Sequence, residues 1–181
     1  MIKGRQIPAC YLLLTVIASI QAVAADDAIS KAEFELVGKN GEVVTHLDFR
    51  GRYVLLAFGF TNCPHVCPLM AANMAGALKM VGNDTAGVFI SVDTERDTPE
   101  IVHQYASSFD DRMIGLGGNY HQVNAAAENF NVTYVVSKSQ KNYTVQHTSN
   151  IFVIDPEGRV VEIFPLNARP GEIAAAIDTV D

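Results

Sequence analysis

Two cysteines stand four residues apart in the stretch Phe60 to Met70, "FTNCPHVCPLM": Cys63 and Cys67, with His65 between them and a proline, Pro64 or Pro68, after each. A thiolate is a nucleophile, a soft metal ligand, or half of a disulfide. The pair therefore admits three chemistries: a metal clamp, a redox couple, or a structural bridge. A third cysteine, Cys10, lies in a different kind of segment. Lys3 and Arg5 precede the apolar run Tyr11–Ile20, "YLLLTVIASI", and Ala22-Val23-Ala24 follows it. A basic start, a short apolar run and a small-residue site predict a secretory signal over residues 1–24, cut after Ala24. Residues 25–181 are then one domain, and an uncleaved anchor is the alternative. Cys10 leaves with the signal, so Cys63 and Cys67 become the whole cysteine complement. An exported chain meets an oxidising compartment, where they can pair. A loop that short adds little chain-entropy stabilisation, which argues against a mere staple.

The elements that must carry this pair follow from patterning. "FELVGKNGEVV" alternates around a glycine-rich turn and predicts an N-terminal β-hairpin. "YVLLAFGF", Tyr53 to Phe60, is an unbroken apolar run, as in a strand buried on both faces. Met70, Met74, Ala77, Leu78 and Val81 recur at helical spacing, and Pro68 suits a first helical turn. The helix should start near Cys67, with Cys63 in the loop before it, and end at Gly82-Asn83. Positions i and i+4 at such a start bring both sulfurs to one side. The helix N-terminus favours thiolate, and His65 adds to this when protonated.

Further along, "GVFISVD" reads as a second buried strand. Thr98 reads as an N-cap with Pro99 at the first helical position, followed by a stripe of Ile101, Val102, Tyr105 and Phe109. "MIGLGG" is a short strand, Tyr120–Phe130 a helix, and "VTYVV" and "SNIFVID" are strands. Asp155-Pro156-Glu157-Gly158 is a turn from which "RVVEIF" pairs back, and Pro170–Ile177 is a closing helix. A βαβ start with a ββα finish predicts an α/β domain, a mixed central sheet with helices on both faces. The cysteines fall where the first buried strand turns into its helix, the edge at which α/β sites gather.

Nearly half the residues, 49%, are hydrophobic, enough for a normal core. The formal charge is −7, and without Lys3 and Arg5 it is 11 basic against 20 acidic residues, or −9. With no basic run, nucleic acid is not the partner. Two sulfurs make an incomplete metal site. Of the five histidines, His46 sits at the hairpin end, His103 on a helix, and His121 near a helix start, each read most simply as surface polarity. His147, in "YTVQHTSNIF", precedes a buried strand that can lie beside the cysteine-bearing one, so its loop can face the cysteine loop. A solvent-facing loop histidine is the plainer reading.

The stretches "FTNCPHVCP", "SVDTERDTPE", "VQHTSNIFVIDPEGRV" and "RPGEIAAAI" run in order from Phe60 to Ile177. Together they resemble the Sco/SenC copper proteins of cytochrome oxidase assembly. The resemblance implies a thioredoxin-like fold, and copper, Cu(I) or Cu(II), bound by Cys63, Cys67 and His147. It implies a metallochaperone for the binuclear copper centre of cytochrome c oxidase, or a reductase of that centre's cysteines; in the latter, Cys63, placed in the loop, is read as the attacking thiolate and Cys67 as the resolving one. The implied partner is the copper-site subunit of the oxidase or another periplasmic copper protein. The implied location is exported and periplasmic, soluble or tethered to the inner membrane by an uncleaved N-terminus. Asp93 matches an acidic position of the family, although Asp93 and Asp97 are read more simply as capping a turn or pairing with Arg96. Many members carry Asp where His65 stands, and His65 is read as facing water. A peroxidase on the same fold needs an activating arginine, and no arginine lies in the cysteine stretch.

Overall fold

Strand β3, Val54–Gly59, is buried at all six positions, as its apolar run demands when both faces of a sheet are covered. The computed structural model describes residues 32–140 and 142–178; the expected signal and Cys10 lie outside them. An antiparallel hairpin opens the chain: β1, Glu35–Val37, and β2, Val43–Thr45. Then follow β3; α1, Val66–Leu78; β4, Ala86–Ser91; α2, Pro99–Ser107; β5, Met113–Leu116; and α3, Tyr120–Asn129. Strands β6, Tyr134–Lys138, and β7, Tyr143–His147, form a second hairpin before β8, Asn150–Ile154, β9, Val160–Pro165, and α4, Pro170–Asp178.

The central sheet has the order β5-β4-β3-β8-β9. Strands β3, β4 and β5 run parallel through two helical crossovers, while β8 and β9 are antiparallel. This is the expected mixed sheet. Side chains alternate along each strand and divide the core in two. Leu55, Ala57, Phe89, Ile151 and Val153 face helices α1, α2 and α4. Val54, Leu56, Phe58, Val88 and Phe152 face the N-terminal hairpin and α3. Helices thus cover both faces, and the cysteine-bearing helix belongs to the first layer.

Local signals account for the helix starts. Thr98 caps α2 with Pro99 directly after it, and its hydroxyl accepts from the Ile101 amide. Asn119 and Gln122 make a reciprocal capping box on α3. Helix α1 begins one residue before Cys67 with His65 at the cap position. Pro68 lies in the first turn, where its missing N–H is not needed.

Three details differ from expectation. Helix α1 ends at Leu78, before Gly82, because the Met80 amide bonds to Ala77 O at 2.9 Å and tightens the last turn out of the helix. On α2 the inward stripe is Val102 and Ala106; Ile101 faces outward and Phe109 follows the helix. The segment Tyr143–His147 is the strand β7, although the sequence places His147 in a loop.

Candidate metal site

The cysteine loop follows β3 directly. Phe60 and Thr61 leave the sheet edge, and the Cys63 amide turns back onto Phe60 O at 3.3 Å. The chain then enters α1 so that the Cys67 amide points at Cys63 Sγ, 3.3 Å away. The cysteines are unpaired; Cys63 is partly exposed and Cys67 buried. Burial raises the Cys63 thiol pKa, but hydrogen bonding from the Cys67 side chain and from the amides of Cys67, His65 and Val66 outweighs it and holds it below the usual thiol value. Cys67 goes the other way: burial, then the proton it shares with Cys63, push it well up. Of the two thiols, Cys63 is thus the one that gives up its proton more readily and Cys67 the one that keeps it.

Strand β8 lies antiparallel beside β3, with Ala57 opposite Ile151. That adjacency returns the chain before β8 to the cysteine edge. His147 Nε2 stands 3.4 Å from Cys67 Sγ across 80 residues of sequence. Its Nδ1 donates to Thr148 O at 2.9 Å, which in the neutral ring leaves the Nε2 lone pair turned toward the sulfur. Burial lowers the His147 pKa, and the bond to Thr148 only partly offsets this, so the ring is neutral at pH 7. Phe60 stacks edge-on against it at 5.9 Å. Cys67 therefore touches both other members of the trio. Among the described residues no three His, Cys, Asp or Glu side chains stand as a ready-closed ligand cluster. Two soft sulfurs and one unprotonated imidazole nitrogen suit Cu(I).

A family model described as SCO1/SenC matches residues 22–180. The chain belongs to the SCO1/SenC family. Protein sco1 of Schizosaccharomyces pombe is 33% identical over 152 residues; the match covers 80% of this SCO1/SenC chain but 58% of the yeast protein's length. ScoI of Bradyrhizobium japonicum, solved with copper bound, superposes with a TM-score of 0.74 at 34% identity, covering 83% of this chain and 98% of that one. BsSco, a member of the Sco family of cytochrome c oxidase assembly proteins in which a disulfide switch was identified, gives 0.64 at 25% identity, covering 81% and 90%. The fold is the thioredoxin-like one that the family resemblance implies.

The remaining histidines make no hydrogen bond to either sulfur through their rings among the described residues. His46 and His121 line a separate open cleft of about 550 Å³ between the N-terminal hairpin and α3, and His103 lies on α2. His65 is exposed and makes no side-chain capping bond. Arg96 pairs with Asp93 at 2.5 Å, as the plainer reading of that turn has it. Asp97 has a further role: its carboxylate accepts from Thr61 N at 2.8 Å, Thr61 Oγ1 at 2.6 Å and Ser91 Oγ at 2.6 Å, tying down the start of the cysteine loop. Sequence reasoning also passes over Gly59. A Cβ there would lie 3.1 Å from Cys67 Sγ and 2.5 Å from the Phe89 ring. A glycine ending a buried strand just before reactive residues is the signal that marks it. Among the described residues no helix is long and apolar enough to cross a membrane.

Proposed function

We propose that this protein is a copper metallochaperone for the binuclear copper centre of cytochrome c oxidase, taking up Cu(I) on Cys63, Cys67 and His147. The contact between Cys67 Sγ and His147 Nε2 carries this reading, since it joins the sulfur pair to a neutral imidazole from another part of the chain. Copper bound in the Bradyrhizobium relative supports the cargo. The Sco family's description as oxidase assembly proteins supports the destination. Uptake displaces the proton held on Cys67, and release to a copper-site subunit proceeds by exchange of sulfur ligands at Cys63, the more accessible of the two. We read residues 1–24 as the export signal, residues 25–181 as the copper-binding domain, and the periplasm as its location.

Anaerobic titration of the reduced protein against a Cu(I) chelator tests the ligand set. His147→Ala is expected to weaken Cu(I) by at least tenfold and His65→Ala by less than twofold. Equal affinity for wild type and His147→Ala would remove His147 from the site.

The unequal thiols favour a second reading at the same atoms, a thiol–disulfide reductase. Cys63 as thiolate attacks a partner's disulfide and releases one partner thiolate. Cys67 then attacks the mixed disulfide, releasing the second and leaving Cys63–Cys67 oxidised. Metal-free protein that fails to reduce a disulfide-closed copper-site peptide would exclude it.

A further inference from the structure

Among the described residues, the β6–β7 hairpin that delivers His147 is a separate two-stranded sheet, with no ladder to the five-stranded one. Its ends are tied to the fold by the backbone, through β8 and the Val132 amide on Ala127 O, and the seating of its far end falls to side chains. Tyr143, Val145 and His147 share one face of β7 by period-two alternation, and they are the partly buried positions of that strand. At the far end of this face the Tyr143 hydroxyl donates to Asp93 Oδ1 at 2.6 Å. Asp93 is fully buried. The Arg96 guanidinium, paired with Asp93, lies 3.8 Å over the Tyr143 ring and 5.9 Å from that of Phe60. Phe60 in turn meets His147 edge-on. Lys138, opposite Tyr143 in the hairpin, pairs with Glu95.

The same turn holds the other half of the site. Its backbone is closed by the amides of Arg96 and Asp97 on Asp93 O, and its last carboxylate, Asp97, grips Thr61 two residues before Cys63. One five-residue turn thus grips the cysteine loop at one end and the histidine hairpin at the other.

We propose that Tyr143 is a positioning residue for copper uptake: latched to Asp93 and Arg96, it seats the β6–β7 hairpin against this turn and so sets His147 beside Cys67. The inference rests on the copper reading for its role and on the latch for its mechanism. Tyr143 keeps its proton for the bond, because burial and then the Asp93 carboxylate push its pKa up to about 12.

A double-mutant cycle separates positioning from bulk stability. Tyr143→Phe keeps the ring and removes the hydroxyl. Measured on the full chain by Cu(I) chelator competition, it is expected to weaken binding about tenfold with His147 present. In a His147→Ala background it should change binding by less than twofold. In metal-free protein, hydrogen exchange of the Thr148 amide, which bonds Thr133 O, should quicken about tenfold, while amides of β8 keep their wild-type rates. Unchanged affinity, an equal loss with and without His147, or exchange quickened equally in β8 overturns the proposal. If wild type takes up no Cu(I), the copper reading fails, and the exchange comparison still decides whether Tyr143 holds the hairpin.

Discussion

Cys63 and Cys67 have the same side chain and opposite tendencies, and backbone placement makes the difference. Cys63 sits ahead of α1, where amides converge on its sulfur, while Cys67 is in the first turn of α1 with its sulfur against the end of β3 and His147. Alkylation followed across pH is expected to show Cys63 half-reacting below 9.0, the ordinary thiol value, because a lowered pKa populates thiolate earlier. Cys67, raised by burial, should stay unmodified through that range. Comparable labelling of both thiols at pH 8 would contradict the asymmetry. Gly59 makes a second prediction at this scale. Its missing Cβ leaves room for Phe89 and Cys67 Sγ, and both are fully buried, so neither yields freely. Gly59→Ala should cost about 1–3 kcal/mol in urea unfolding and slow metal uptake by displacing the inner sulfur. A cost below measurement error would mean that the Phe89 ring rotates aside.

At the scale of elements, the two faces of the sheet separate stability from site chemistry. Helix α3 packs on the face away from the cysteines, and its start depends on the reciprocal bonds of Asn119 and Gln122, at 3.0 and 3.1 Å. Asn119→Ala should lower unfolding free energy by about 1 kcal/mol and leave Cu(I) affinity within twofold. A large affinity loss would show that the faces are coupled. Elements with strong local signals were legible in the sequence: the run of β3, the Thr98-Pro99 start of α2 and the turn before β9 all stand where their residues put them. Strand β7 was not. "YTVQH" alternates, but its apolar positions are only half-buried and its partner β6 is largely exposed, so no continuous hydrophobic run distinguishes it from loop. What seats it is Tyr143 on Asp93 across 50 residues, a contact that local pattern does not encode. His147 was found as a candidate because β8 reads clearly and must pair near β3, whereas Asp97 and Gly59 act through space alone.

For the whole molecule, the consequence is that the proposed ligands come from segments 80 residues apart, joined only when β3 and β8 are paired. A metal held by all three therefore binds the folded chain far better than the unfolded one. With free Cu(I) at about a hundredfold over its dissociation constant, linkage adds about 2.7 kcal/mol to the unfolding free energy. For a chain of this size each kcal/mol moves the melting midpoint by about 2–4 °C, so a rise of about 5–11 °C is expected in anaerobic thermal unfolding. His147→Ala should show much less even when its weaker affinity is matched by more metal. Cys63 and Cys67 are only four residues apart and stay close in the unfolded chain, so two-sulfur binding barely distinguishes the states, and metal bound to the unfolded chain cancels the gain. The comparison at equal saturation is thus a test of long-range ligation rather than of affinity. Equal midpoint shifts in the two proteins would place the metal on the cysteine loop alone and leave His147 a neighbour of the site.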